Sequence, residues 1–397
     1  MISVEAAEKI VLKTVKNRVY TEGSSLLNSI GRILAEDIIA DRDFPPFDRV
    51  TMDGIAFNFG NYKAGHRRFF IENMQAAGEK QLSLKDANHC IEIMTGAVMP
   101  LGCDTIVRYE DLEIENGFAK ILIENVDYQQ NTHKKGRDRK AGDVLIPKGT
   151  LISAPEIGTA ATVGKSILTV VKLPKVAIVS TGNELVEINE TPEDHQIRRS
   201  NVYSLAALLA DKFTIKAHLF HFNDNENDIT EGLKSILSTH DLVILSGAVS
   251  EGKFDFVPKA LASNNVNCLF HKIAQRPGKP LWFGQQNEAV VFGLPGNPVS
   301  TFICACRYVL PWIEAYLTQK TPNYPFATLA EDVHFKPDLT YFLQVKIENN
   351  GGILMAKPVA GGGSGDLANL NNVDGFLELN ADRTTFLKGE ILKFISF

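Results

Sequence analysis

At 397 residues the chain is too long for one hydrophobic core, and roughly two to four domains are expected. Hydrophobic content of 44% and charged content of 22% match an ordinary soluble globular protein. A net charge of −6 excludes general nucleic-acid binding, which needs a strong positive footprint, but leaves room for a small anion held by local Lys, Arg and backbone N–H groups.

The first ten residues carry acids where a signal peptide needs an apolar run, and no stretch approaches about eighteen uninterrupted apolar residues. A cytoplasmic protein with no membrane span is therefore expected. Two amphipathic helices are predicted in the first forty residues, one on Ile10, Val11, Val15 and Val19, the other on Leu26, Leu27, Ile30, Leu34, Ile38 and Ile39. Asp43-Phe44-Pro45-Pro46-Phe47 then breaks any helix. From about 49 to 145 short β-type runs alternate with turns, as in 90–94, 105–109 and 119–123, and suggest a small β-rich insertion. The basic segment 131–142 reads by itself as a solvated loop. Residues 144–149 return to a hairpin-like pattern, and 154–163 read as helix.

From Val176 the texture becomes α/β. Apolar runs at 176–180, 241–245 and 289–294 end in small polar residues, and helical patterns intervene at about 201–211, 226–238, 255–263 and 299–317. Near-continuous apolar strands alternating with helices predict a parallel sheet covered on both faces. Thr321-Pro322-Asn323-Tyr324-Pro325 is a linker, and the last seventy or so residues show short strands suited to a small β-barrel or sandwich. The five cysteines are scattered and form no CxxC pair, which favours reduced thiols over disulfides or a zinc site.

Candidate chemistry collects after the strand ends. Ser180-Thr181-Gly182-Asn183-Glu184 follows one run, the segment from Ser246 and Gly247 through Ser250 to Asp255 follows the second, and Gly293-Leu294-Pro295-Gly296-Asn297-Pro298-Val299-Ser300 ends the third. Such loops meet at the carboxyl edge of a parallel sheet, where backbone N–H groups at helix starts receive anions. Glu184, Asp224 and Asp255 are candidates for Mg²⁺, which takes a few carboxylates together with phosphate oxygens; singly, each reads more simply as an N-cap or surface carboxylate. Arg276-Pro277-Gly278-Lys279-Pro280 places two cations on a rigid turn suited to a tetrahedral oxyanion, or to a plain basic surface. Asp53-Gly54 and Thr95-Gly96 read as turns. No Walker A, GxSxG or full GxGxxG pattern is present.

Taken in order, these stretches resemble the molybdopterin molybdenumtransferase family of molybdenum-cofactor biosynthesis. The resemblance rests on Phe44-Pro45-Pro46-Phe47 with Met52-Asp53-Gly54, Thr95-Gly96-Ala97 with Asp104, Ser180-Thr181-Gly182-Asn183-Glu184-Leu185, Asn201, 246–255, Pro277-Gly278-Lys279-Pro280, 293–300 and Gly363-Ser364-Gly365. It spans nearly the whole chain. It implies a multidomain α/β fold: a helical dimerisation domain from 1–45 plus 145–173, a β-rich domain inserted at 46–144, an α/β domain at 174–320 resembling the molybdopterin adenylyltransferases, and a C-terminal β-barrel at 326–397.

It further implies a cytoplasmic homodimer that inserts molybdenum from molybdate into adenylylated molybdopterin, with Mg²⁺-dependent release of AMP. Other molybdenum-cofactor biosynthesis proteins are implied as further partners. Asp53, Asp255 and Lys279 would be catalytic, and Glu184, Asp224 and Asp255 metal-holding. The nucleotide and pterin would lie against Asn201, Ser246, Gly247, Ser250, Gly293, Pro295, Gly296 and Pro298. Arg276, Lys279, Ser300 and Ser364 would hold molybdate, while Asp53, Thr95 and Asp138 would reach the same cleft across the dimer. Three positions depart from the family pattern: Ala248 in place of Gly, Lys253 where an acid is frequent, and Gln344 where Arg is frequent. Two other readings stay open, adenylyl transfer to molybdopterin and a non-catalytic molybdopterin-binding carrier or scaffold.

Overall fold

The computed structural model describes residues 1–16, 18–247 and 256–397. The chain folds as two units, one of Met1–Ser24, Gly31–Ala35 and Thr169–Phe397, the other of Ser25–Ile30 and Glu36–Leu168.

In the first unit, the helix Val4–Lys13 is capped by Ser3, whose side chain accepts from the Ala6 N–H, and it buries Val4, Ala7 and Val11. Those three residues join the same core as the α/β sheet. The sheet has six strands in the order His218–Phe222, Val176–Thr181, Leu242–Ser246, Ala289–Leu294, Trp282–Gln286 and Asn267–His271. The first four are parallel and the last two join by antiparallel pairings, so the expected parallel sheet carries an antiparallel edge that the apolar pattern did not reveal. Every residue of Val176–Thr181, Leu242–Ser246 and Ala289–Leu294 is buried, which is why these strands lack polar alternation.

The expected helices are present at Ser200–Phe213, Glu226–Leu237 and Val257–Ser263. The fourth runs from Pro298 to Thr318 but widens to a π-turn at Ala305–Val309. Pro311 explains the widening. It has no N–H for the Arg307 carbonyl, and its ring crowds that carbonyl. Beyond the linker, Thr340–Asn350, Ile353–Pro358, Phe326–Leu329, Ile391–Ser396 and Gly375–Leu379 pair successively, and the last strand pairs back to the first. This closes a five-stranded barrel and removes its edges.

The second unit is built on a six-stranded sheet in the order Thr105–Arg108, Gly54–Phe57, His89–Ile93, Arg68–Gln75, Phe118–Ile121 and Leu112–Glu115. Ala154–Thr162 forms the expected helix, with a reciprocal capping box between Ser153 and Glu156. Two expectations are corrected. The apolar set from Leu26 to Ile39 is not an α-helix: Leu27–Ser29 makes a single 3₁₀ turn and Ile38–Ile39 a short strand. Gly31, at φ +78°, interrupts the pattern. The segment after Val144 is not a local hairpin either, since Val144–Ile146 pairs with Ile38–Ile39 across about a hundred residues of chain.

Candidate active site

The parallel strands of the first unit end level with one another, Ser180 opposite Ser246 and Ser246 opposite Leu294. At their carboxyl ends lies a small cavity of about 180 Å³ lined by Ser180, Glu184, Asn201, Ser246, Gly247, Gly296 and Pro298, among others. Asn201, in the first turn of its helix, organises this mouth. Its Nδ2 donates to Ser246 Oγ at 3.1 Å and to the Gly296 carbonyl at 2.8 Å. The Pro295-Gly296-Asn297 turn is tied from the other side by Thr301, whose hydroxyl donates to the carbonyls of Pro295 and Asn297. Gly293 is fully inside the strand. Gly247 donates its N–H to the Leu294 carbonyl at 3.2 Å.

A second cavity, about 680 Å³, gathers Arg276, Lys279, Ser300 and Ser364, and it also contains Gln344 and Asn297. Asn297 therefore lines both cavities. Its amide donates to Ser364 Oγ at 2.9 Å, and Val299 donates its N–H to the Ser364 carbonyl at 3.0 Å. These bonds tie the helix start to the Gly363-Ser364-Gly365 turn. The basic turn is stitched to the barrel as well, with Gln275 and Arg276 pairing alongside Thr340 and Tyr341. Gln344 accepts from Asn369 Nδ2 at 2.9 Å, which fixes its amide on the cavity wall.

Two of the three carboxylates assigned to a metal are described. Glu184 faces the smaller cavity, and Asp224, at the end of the adjacent strand, accepts from the Asn183 N–H at 3.4 Å while donating its own N–H to Asn183 Oδ1 at 3.1 Å. Asp255 lies outside the described residues, as do Ser250, Ala248 and Lys253. Among the described residues no group of three or more His, Cys, Asp or Glu is placed to hold a metal. Glu184 on the cavity wall and Asp224 at the neighbouring strand end nevertheless supply carboxylate oxygens, which is the ligand chemistry a hard divalent cation takes.

In the second unit Asp53 and Thr95 meet directly. The Thr95 N–H donates to Asp53 Oδ1 at 2.6 Å. That bond, with a further one from the Thr95 side chain, holds the exposed Asp53 carboxyl below its ordinary pKa. The neighbouring Gly54 is obligatory on steric grounds, because a Cβ there would collide with the Val107 carbonyl oxygen and stand 2.7 Å from Arg108 Cα. Beside it, the Tyr109 hydroxyl donates to Glu92 at 2.6 Å.

The basic loop carrying Asp138 is largely exposed, as its composition suggests, but it is anchored at several points. Asp48 accepts from Lys134 Nζ and from the Lys135 N–H, both at 2.8 Å, Gly136 donates to the Pro45 carbonyl, and Asp138 pairs with His133 Nε2 at 2.8 Å.

Sequence reasoning passed over the bridging role of Asn297, and over Arg198 and Arg199 on the smaller cavity. It also passed over Gln275, buried beneath the basic turn. The Arg-Arg pair just before a helix start was visible. A glutamine preceding Arg-Pro carries no signal of its own.

Residues 2–164 match the MoeA N-terminal region (domain I and II), 177–315 a probable molybdopterin binding domain, and 327–397 the MoeA C-terminal region (domain IV). A molybdopterin molybdenumtransferase of Synechocystis is 37% identical over the full length of both chains. One of Staphylococcus epidermidis is 33% identical over 99% of this chain and 95% of its own. The crystal structure of a molybdopterin biosynthesis MoeA protein from Pyrococcus horikoshii superposes with a TM-score of 0.85 at 27% identity, covering 100% of this chain and 99% of that one. With its three regions matched in order and full-length relatives above 30% identity, the chain belongs to the molybdopterin molybdenumtransferase family.

Proposed function

We propose that this chain inserts molybdenum from molybdate into adenylylated molybdopterin and releases AMP. The observation that carries the reading is the pair of adjoining cavities joined through Asn297, one at the strand mouth and one rich in cations and hydroxyls. The strand-mouth cavity suits the nucleotide-linked pterin, with Asn201, Ser246, Gly247 and Gly296 lining it. Arg276, Lys279, Ser300 and Ser364 offer two positive charges and two hydroxyl donors to a tetrahedral oxyanion such as molybdate.

Cleavage of the linkage between pterin phosphate and AMP by water leaves two phosphates in place of one anhydride, so negative charge and a proton are released. Lys279 would offset that charge. Asp53, kept ionised by Thr95, is the proposed acceptor of the proton, and Asp138 and Thr95 would help to orient the substrate. Glu184, Asp224 and Asp255 would hold Mg²⁺, which when bound offsets charge on the phosphate oxygens.

The four-domain division, homodimerisation, a cytoplasmic location and contact with other molybdenum-cofactor biosynthesis proteins belong to the same proposal. Among the described residues no helix is long and apolar enough to cross a membrane. Sedimentation of the purified chain tests the dimer.

The deciding experiment is AMP release from adenylylated molybdopterin with and without molybdate and Mg²⁺. Release that requires both, and that stops on chelation and returns with added Mg²⁺, is expected. Tight binding without release would favour a carrier. Formation of the adenylylated pterin from ATP as the main activity would favour an adenylyltransferase.

A further inference from the structure

The turn Arg276-Pro277-Gly278-Lys279-Pro280 has little backbone bonding of its own. Pro277 and Pro280 have no N–H; Arg276 is held by its pairing with Tyr341 and the Lys279 carbonyl by the Ile273 N–H at 3.0 Å, so the carbonyls between them need side-chain partners. Its inner face rests chiefly on Gln275, with the Cys304 thiol reaching the Gly278 carbonyl at 3.7 Å. Gln275 is 0% exposed, and its Nε2 lies 3.1 Å from the Pro277 carbonyl, 3.3 Å from the Gly278 carbonyl and 3.4 Å from Cys304 Sγ. Its Oε1 accepts from the Tyr308 hydroxyl at 2.5 Å. Tyr308 is itself buried, within the π-turn of the long helix.

The amide is thus satisfied at both ends, and its orientation is set. Reversing it would turn the oxygen onto two carbonyls and take its acceptor away from the Tyr308 hydroxyl. Arg276 and Lys279, by contrast, are exposed and line the larger cavity. Two long cationic side chains converge on one small anion only if the backbone between them is fixed.

We propose that Gln275 is a positioning residue for molybdate capture, its amide holding the backbone from which Arg276 and Lys279 reach the oxyanion. This rests on the reading that the larger cavity takes molybdate. Gln275 borders the same cavity but is 0% exposed, so its amide acts through the turn rather than as a ligand. The Tyr308–Gln275 bond extends the same control into the helix, so the π-turn caused by Pro311 becomes part of the anion site's support.

The test is steady-state AMP release with molybdate and adenylylated pterin varied separately, on Gln275→Met, Gln275→Glu, Tyr308→Phe and Lys279→Met. Gln275→Met keeps the volume and removes the bonds. It is expected to raise KM for molybdate roughly 10- to 100-fold, with kcat and the KM for the pterin changed by no more than about twofold. Gln275→Glu keeps the acceptor for Tyr308 but sets a carboxylate against two carbonyls, and its molybdate KM should rise further. Tyr308→Phe removes one hydroxyl and should shift the molybdate KM in the same direction by a smaller factor.

A wild-type molybdate KM in Gln275→Met, alongside a raised one in Lys279→Met, would overturn the positioning role while leaving the cavity's assignment standing. An unchanged molybdate KM in Lys279→Met would overturn both. Equal losses for both substrates with a lowered melting temperature would reduce Gln275 to a structural residue and overturn the proposal.

Discussion

Asp53 combines exposure, a short bond from the Thr95 N–H and a neighbouring glycine that tolerates no side chain. Asp53→Asn keeps the shape and removes the charge. If Asp53 accepts a proton in turnover, AMP release should fall by roughly 10² or more, while pterin binding and the melting curve stay as in wild type. A rate within a few-fold of wild type would remove Asp53 from the mechanism.

The thiols give a second residue-scale prediction. Cys304 and Cys306 are buried, and burial pushes both thiols far above their ordinary range. Cys90, also buried, is pushed up to about 12. Cys268 alone among the five is exposed. A thiol reagent at neutral pH should modify Cys268 first and reach Cys90, Cys304 and Cys306 only with denaturant. Early loss of Cys304 would contradict the packing beneath the basic turn.

At the scale of elements, the basic turn is where packing meets the proposed anion site. Gly278 has φ +91°, and a Cβ there would stand 2.5 Å from Cys304 Sγ and 2.7 Å from Gln275 Nε2. Gly278→Ala therefore strains the backbone and presses on the two side chains that support the turn. It should cost about 1–3 kcal/mol, the usual penalty of overpacking, and raise the molybdate KM. Adding Cys304→Ala should recover part of the stability by opening space at sulfur. Chemical denaturation of the single and double variants measures this, and strict additivity would show that the two sites do not press on each other.

At the scale of the molecule, one buried charge cluster joins distant parts of the first unit. Arg307, 0% exposed, donates through Nε to Glu378 at 2.7 Å, through one terminal nitrogen to Glu8 at 2.9 Å and through the other to the Tyr324 hydroxyl at 2.8 Å. Lys393 lies 3.3 Å from Glu378. Two cations thus meet two carboxylates from the N-terminal helix, the long helix, the linker and two barrel strands. Removing Arg307 would leave the buried Glu378 with Lys393 alone and the half-buried Glu8 with the Tyr324 hydroxyl alone, so Arg307→Met should lower stability by about 3–5 kcal/mol.

The same cluster sets a pH dependence. Burial alone would raise the Glu8 carboxyl, but the bond and charge of Arg307, with help from Tyr324 and Lys393, outweigh it and bring the pKa below the ordinary value. A carboxyl lowered on folding adds stability that is complete above its unfolded pKa and is lost as pH falls through the folded one. Acid unfolding curves of wild type and Glu8→Gln should therefore differ most at neutral pH and converge in strong acid. A constant offset at all pH values would exclude the linkage.

The local elements were readable where one physical cause dominates. Continuous apolar runs became buried parallel strands because both faces are covered, and helices with clear periodicity appeared within a few residues of their expected ends. The order of the motifs along the chain identified the family, and the residues assigned to molybdate from it share one cavity. Leu26 to Ile39 failed as a helix because a glycine in the left-handed region and pairing with residues far along the chain overrode the periodicity.

What the tertiary structure alone decided is the partnership of side chains with no local signal. Gln275 beneath the basic turn, Asn297 between two cavities and Arg307 among two carboxylates each acquire meaning only from groups that folding brings to within about 3 Å. Hydrophobic periodicity reports what a segment buries. It does not report which polar atoms from distant segments must then satisfy one another, and in this protein those pairings hold the basic turn in place.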